Sequence, residues 1–202
     1  MTDQYLYLHL ADPNGNSTDL AQALRANSLR IWSERGADVW GMFSGLFGLG
    51  SNELIVILHN AAGVAPSALS EPVGTAQVLR ANALRSTVRP VAFAPLVENG
   101  LYVLRQFRLK PNSVAETVRL SRQAWETFEA DAGFQTRPVG LFEQTKPAEA
   151  NYDNMMLVTH YDGFESWERS RKPAKEAQDN FRRRHALTTR SGAIALRLLT
   201  AQ

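Results

Sequence analysis

The sequence predicts an α+β fold in which two ferredoxin-like β-α-β-β-α-β units follow one another in a single chain. Three observations lead there. Strand-like and helix-like segments recur in the same order over residues 1–97 and 98–202. Matching residues recur at slowly growing offsets: Trp32 with Trp125, Gly45-Leu46-Phe47 with Gly140-Leu141-Phe142, His59 with His160. Both strand parities are apolar, with Leu101, Val103 and Phe107 on one side and Tyr102 and Leu104 on the other. Each sheet therefore needs cover on both faces. Helices supply one cover, and two sheets facing each other would supply the second, as an eight-stranded barrel-like core with helices outside.

In the first half, Tyr5–Leu10 reads as a strand ended by the turn residues Pro13-Asn14-Gly15-Asn16. Ser17-Thr18-Asp19 opens a helical stretch that holds Trp32 and stops near Gly36. Val39–Phe47 and Leu54–His59 read as strands joined through a glycine-rich turn. After a loop with Pro66 and Pro72, Thr75–Arg85 reads as a helix and Thr87–Phe93 as a last strand. Asn99-Gly100 marks the junction. The second half begins with a strand over Leu101–Leu109. Ser113-Val114-Ala115-Glu116 has the spacing of a capping box, in which each end residue satisfies the other's free N–H. The helix it opens lines up Val114, Val118, Ser121, Trp125 and Phe128 on one stripe. Strands over Thr136–Thr145 and Met155–Tyr161 follow, then helices over Phe164–Arg171 and Ala174–Leu187 separated by Pro173, and a strand over Ile194–Leu199.

Composition narrows the function classes. The 202 residues include no cysteine, which removes disulfides, thiolate catalysis and thiolate metal sites. The four histidines show no paired metal-ligand spacing and no His-Glu-x-x-His, so no metal and no cofactor is expected. Gly-x-Ser-x-Gly is absent, and glycines 45, 48 and 50 do not follow the dinucleotide-binding spacing. No apolar stretch approaches the length of a membrane span, and Tyr5–Leu10 is too short for a signal peptide, which makes the cytoplasm the expected location. The formal charge is +2, but residues 169–190 concentrate eight Lys or Arg against Glu176 and Asp179. With one aromatic in that run and both sheets needed for burial, a solvated helix face explains it better than a nucleic-acid reader, and an acidic partner or anionic ligand is the next reading.

The stretch Leu101-Tyr102-Val103-Leu104-Arg105-Gln106-Phe107-Arg108-Leu109-Lys110-Pro111 resembles the opening strand and turn of the NIPSNAP family. The resemblance continues through Gly140-Leu141-Phe142, Leu157–Asp162, Trp167-Glu168-Arg169-Ser170 and Phe181-Arg182-Arg183-Arg184-His185. It covers residues 100–200; residues 4–95 follow only in length and element order. Membership implies the dimeric α+β barrel, here as a single tandem chain. It implies no single reaction, since relatives on the wider barrel include cofactor-independent monooxygenases, haem-binding enzymes and small-molecule isomerases.

Several side chains are candidates for a site. His160 shares strand parity with Met156 and Val158, and His59 with Ile55 and Ile57, so both could present an imidazole between the sheets for proton transfer. A histidine hydrogen-bonded at a strand end is the plain alternative. His185 is the most family-like histidine and suits a catalytic role, an anion contact or a helix cap. Arg105 shares parity with Val103 and Phe107, and an inward arginine there needs a carboxylate or an anionic ligand. Tyr102, Tyr161 and Trp167 could line a pocket mouth; Trp167 could instead pair with Phe164 to anchor its helix. His9, with no accompanying carboxylate pattern, is left out. The functional expectation is a protein that binds a small apolar or anionic molecule between its sheets, as a cofactor-independent oxygenase or isomerase or without turnover. The alternative is a binding or scaffold protein acting through its outer surface or a homo-oligomer interface. No nucleic acid or membrane partner is expected.

Overall fold

A computed structural model describes residues 3–70, 76–130, 135–172 and 175–200, the side chains of Thr127 and Glu176 excepted. Along the chain run β1 (Gln4–Ala11), α1 (Ser17–Glu34), β2 (Ala37–Phe47), β3 (Glu53–Asn60), α2 (Pro66–Leu69), β4 (Gln77–Ser86), β5 (Leu101–Leu109), α3 (Val114–Phe128), β6 (Thr136–Gln144), β7 (Asp153–Tyr161), α4 (Phe164–Arg169), α5 (Lys175–Ala186) and β8 (Thr188–Leu198). This is the expected α+β class, two ferredoxin-like units in one chain. Unit 1 takes Met1–Arg85, Ala92–Asn99 and Ile194–Gln202; unit 2 takes Ser86–Val91 and Gly100–Ala193. Among the described residues no helix is long and apolar enough to cross a membrane.

In unit 1, β1 lies antiparallel between β3 and β4, with Tyr5 opposite His59 and Leu8 opposite Val56. Alternation along the strands puts Leu6, Leu8, Leu54, Val56 and Leu58 on one face, where they pack with Leu20, Leu24 and Trp32 of α1 and with Leu69. The helix starts where Asn16 Oδ1 accepts from the backbone N–H groups of Thr18 and Asp19 at 2.9 and 3.1 Å. It ends at Gly36, whose φ of +78° is the left-handed conformation that stops a helix.

Unit 2 repeats the plan. Strand β7 lies between β5 and β6, with Tyr102 opposite His160 and Arg105 opposite Leu157. Phe107, Leu109, Met155 and Leu157 face α3 and pack with Trp125, Val114 and Val118. The alternate residues Met156, Val158 and His160 point from the face that α3 leaves bare.

Four expectations need correction. Residues 77–86 form strand β4 instead of a helix. Their Ala-, Leu- and Arg-rich composition favours a helix, but pairing with β1 from Gln4↔Arg85 to Ala11↔Gln77 overrides it. Thr87–Phe93 makes no full strand: Thr87 N–H donates to Leu141 O, Leu141 N–H donates to Arg89 O, and Pro90 has no N–H to continue the ladder. The capping box does not form, because Ser113 (φ −100°, ψ 2°) lacks the extended backbone that aims a capping hydroxyl. Its N–H donates instead to Asp153 Oδ2 at 3.1 Å, and Glu116 pairs with Arg119. The last strand starts six residues early, at Thr188. The expectations at Pro72, at Thr75 and at the Pro173 break lie outside the described residues.

His9 also has the carboxylate that the sequence did not offer it: its Nε2 lies 2.9 Å from Glu53 Oε2. Partial burial raises the Glu53 pKa, but the bonds from His9 and from the Gly50 N–H outweigh it and hold the carboxyl below its usual range. A carboxylate depressed in the folded state stabilises fully above its unfolded pKa, and that contribution disappears as pH falls through the folded value. Urea denaturation should therefore show stability falling on acidification below about pH 4.5. Glu53→Gln should flatten that slope and cost about 1 kcal/mol at neutral pH.

Candidate ligand-binding site

A cavity of about 780 Å³ lies inside unit 2, on the face of its sheet that carries α3, α4 and α5. Its sheet-side lining includes Arg105, Phe107, Leu157, Thr159 and Tyr161; the helices contribute Trp125, Phe128, Phe181 and Arg184. Arg171, Lys172, Arg182 and His185 complete a basic side, and no aspartate or glutamate is among the lining residues described.

Arg184 is the most constrained of these groups. It is 8% exposed, donates to Ser121 Oγ at 3.2 Å, and its guanidinium lies 5.3 Å from the Phe107 ring centre and 5.1 Å from that of Phe181. Two aromatic faces and one hydroxyl hold the group, and no carboxylate neutralises it among the described residues. Burial pulls its pKa down to about 10, Arg105 pushes the same way, and Tyr161 opposes them. Arg105 is lowered for the same first reason, burial, with Tyr161 opposing and Arg171 adding to the fall. Tyr161, 7% exposed, moves upward on burial, against the pull of Arg105, a hydrogen bond with Ser170, and Arg171 and Arg184. It is thus a neutral phenol at physiological pH. A buried and a half-buried guanidinium beside a phenol O–H and a ring-lined wall can receive an anion with a flat apolar body.

Unit 1 provides an internal comparison. Setting the Tyr5–His59 pair beside the Tyr102–His160 pair puts Leu8 in the place of Arg105, Leu58 in that of Thr159 and Asn60 in that of Tyr161. Leu8 and Leu58 are completely buried in the unit 1 core. Where unit 1 is filled with leucine, unit 2 holds polar groups around a void. The smaller cavity of unit 1, about 500 Å³, is lined chiefly by apolar residues such as Trp40, Met42 and Leu96. Its one arginine, Arg25, already donates to the carbonyls of Leu199 and Thr200 at 3.2 and 2.8 Å.

The residues singled out from sequence fall into three groups. Arg105, Tyr161 and His185 meet at the unit 2 cavity, with His185 exposed on α5. His160 and Tyr102, their rings 5.0 Å apart, lie on the opposite face of the same sheet. His59 belongs to unit 1, stacked at 4.4 Å on Phe93 and tilted at 5.1 Å to Tyr5. Trp167 is not part of the described lining; its ring lies 5.8 Å from the Arg171 guanidinium, which is. Sequence reasoning missed Arg184 and Ser121 as a pair and put a solvated face ahead of an anionic ligand for the basic run. No signal in the sequence singled out Arg184; the leucine at residue 8, where the second half has Arg105, marked only Arg105.

A scan of protein-family profiles and a search of curated proteins give no match. Solved structures do match over nearly the whole chain. An anthrone oxidase-like protein is 13% identical with a TM-score of 0.64, covering 98% of this chain and 92% of its own. A ferredoxin-fold protein of Listeria monocytogenes related to antibiotic biosynthesis monooxygenases is 11% identical, TM-score 0.51, covering 100% and 97%. A chlorite dismutase of Candidatus Nitrospira defluvii is 9% identical, TM-score 0.60, covering 98% and 91%. At these identities the likeness concerns the fold: the chain has the ferredoxin-like architecture of the dimeric α+β barrel proteins.

Proposed function

We propose that this protein binds a small organic anion with an aromatic or otherwise apolar body in the unit 2 cavity, between the sheet and helices α3–α5. The observation that carries the reading is half-buried Arg105 beside buried Arg184, with no carboxylate partner among the described residues, where the corresponding unit 1 face is packed with leucine. A fold that closes well around Leu8 has no structural need of an arginine at that place. An unpaired buried charge is costly to keep, and an incoming anion removes the cost. The NIPSNAP resemblance of residues 100–200, and a reading of the two halves as a diverged duplication, fit this asymmetric use.

The test is titration calorimetry of the full chain with 2-naphthoate and its neutral counterpart 2-naphthalenemethanol. The carboxylate should bind and the alcohol should not. Arg184→Met should weaken naphthoate binding by at least about tenfold, the loss of one charge-assisted hydrogen bond, without lowering the melting temperature. Affinity should hold near neutral pH and fall as pH rises through about 10, because the Arg184 guanidinium must keep its proton to attract the anion. Arg184→Met should remove that fall. Wild-type protein that ignores the carboxylate at millimolar concentration would end the proposal. A second reading adds turnover, as a cofactor-independent oxygenase or isomerase. Tyr161 as a proton donor and His185 as an acceptor at the same cavity favour it, and oxygen uptake or product formation with a bound aromatic anion tests it.

A further inference from the structure

We infer that the unit 2 cavity selects a doubly charged head group, a phosphate monoester or a pair of adjacent carboxylates, carried on an aromatic body. The inference rests on the reading above that this cavity binds an organic anion, and it adds the charge of that anion.

The cations around the cavity differ in whether a described acid pairs with them. Of the permanent cations lining the cavity, Arg182 is paired with Asp179 at 3.0 Å. Lys172 is an exposed side chain. Arg105, Arg171 and Arg184 line the same space as Tyr161, and none of the three has a carboxylate partner among the described residues. A single carboxylate can take one guanidinium in a two-point contact and would leave the other two facing each other. A head with two negative charges and three or more oxygens can engage all three, with the neutral Tyr161 hydroxyl as a further donor.

The geometry prepares the arginines unequally. Arg184 is held by Ser121, Phe107 and Phe181, so it contributes a fixed charge with little side-chain entropy to lose. Arg171 is exposed, but its guanidinium lies over the Trp167 ring, which makes Trp167 a positioning residue for the outermost of the three charges. Burial is the first cause that lowers the pKa values of Arg184 and Arg105, and the neighbouring charges push the same way, Arg105 on Arg184 and Arg171 on Arg105. Behind them, Phe107, Trp125, Phe128 and Phe181 supply aromatic surface for the body of the ligand.

The experiment compares 2-naphthyl phosphate, naphthalene-2,3-dicarboxylate and 2-naphthoate by calorimetry on the full chain at one ionic strength. It is run at about pH 8, where a phosphate monoester is doubly charged. At least one dianion should bind about tenfold tighter than naphthoate, and whichever dianion gains identifies the head group as phosphate or paired carboxylate. Arg171→Met should erase that preference, so that the dianions and naphthoate bind within about threefold of one another. Trp167→Leu should reduce the preference in the same direction by a smaller factor. Dianions that bind no tighter than naphthoate would overturn this inference while leaving the anion site in place. Failure of all three ligands would remove the anion site and this inference with it.

Discussion

Replacing Leu8 by arginine is expected to cost at least about 4 kcal/mol of stability, while Arg105→Leu at the corresponding place in unit 2 should raise the melting temperature. Leu8 is completely enclosed among Leu6, Leu54, Val56 and the α1 residues Leu20 and Leu24, with no acid and no cavity to receive a guanidinium. Arginine there must either shed its hydration or force the sheet and helix apart. In unit 2 the same step along the strand has a cavity beside it, and the native arginine is desolvated without an ion-pair partner. Leucine should therefore relieve the charge and fill part of the void, stabilising by about 1 kcal/mol while removing the affinity for aromatic anions. Denaturant titration of both variants, with naphthoate binding of the second, checks the pair. An Arg105→Leu chain less stable than wild type would show that Arg105 is part of the framework and not of a binding site.

Gly100→Ala should cost about 3 kcal/mol, read as a shift of the urea midpoint. Gly100 has φ +141°, a region side chains rarely enter. A β-carbon there would collide with the carbonyl oxygen of Tyr161 and stand 2.6 Å from His160 Nε2. The two collisions can be separated. Adding His160→Ala to Gly100→Ala removes the imidazole but neither the carbonyl nor the backbone strain, so the double variant should recover only a minority of the loss. Tolerance of alanine within about 0.5 kcal/mol would mean that β5 does not start against β7 as described. His160 on this account is held by its surroundings at the strand end, next to Tyr102 and Gly100, whatever proton chemistry it also performs.

The fold was more legible than the site, for reasons specific to a few residues. Leu101–Leu109 reads as a strand and is one to the residue, because β-branched and aromatic side chains are bracketed by Gly100 and Pro111. Gln77–Ser86 reads as helix because nothing local distinguishes an alanine- and leucine-rich strand from a helix; its partner strand β1 lies some seventy residues away in sequence. Parity placed Arg105 with Phe107 and His160 with Val158, and both alignments hold. Parity cannot say which face receives the helix. That is decided by α3, through Trp125 and Val118 packing on Leu157 and Phe107. Candidates chosen for one face therefore fell on two, and Arg184, sitting in a run of arginines on α5, carried no mark that it alone turns inward.

The described lining of the unit 2 cavity holds no acid, which sets the terms of competition if the cavity is the proposed anion site. Chloride, phosphate and metabolite anions in the medium would then be drawn to the same guanidiniums, so a measured affinity would be an exchange constant, the ligand minus the ion it displaces. Charge can rank a dianion above a monoanion, but it cannot separate an aromatic dianion from inorganic phosphate. That discrimination must come from the rings of Phe107, Trp125, Phe128 and Phe181, which a hydrated inorganic ion cannot use. Each aromatic group a ligand buries against them is worth about 1.5–3 kcal/mol that such an ion forgoes. Apparent affinities should consequently change with the buffer anion at constant ionic strength, and the ranking of aromatic ligands among themselves should not.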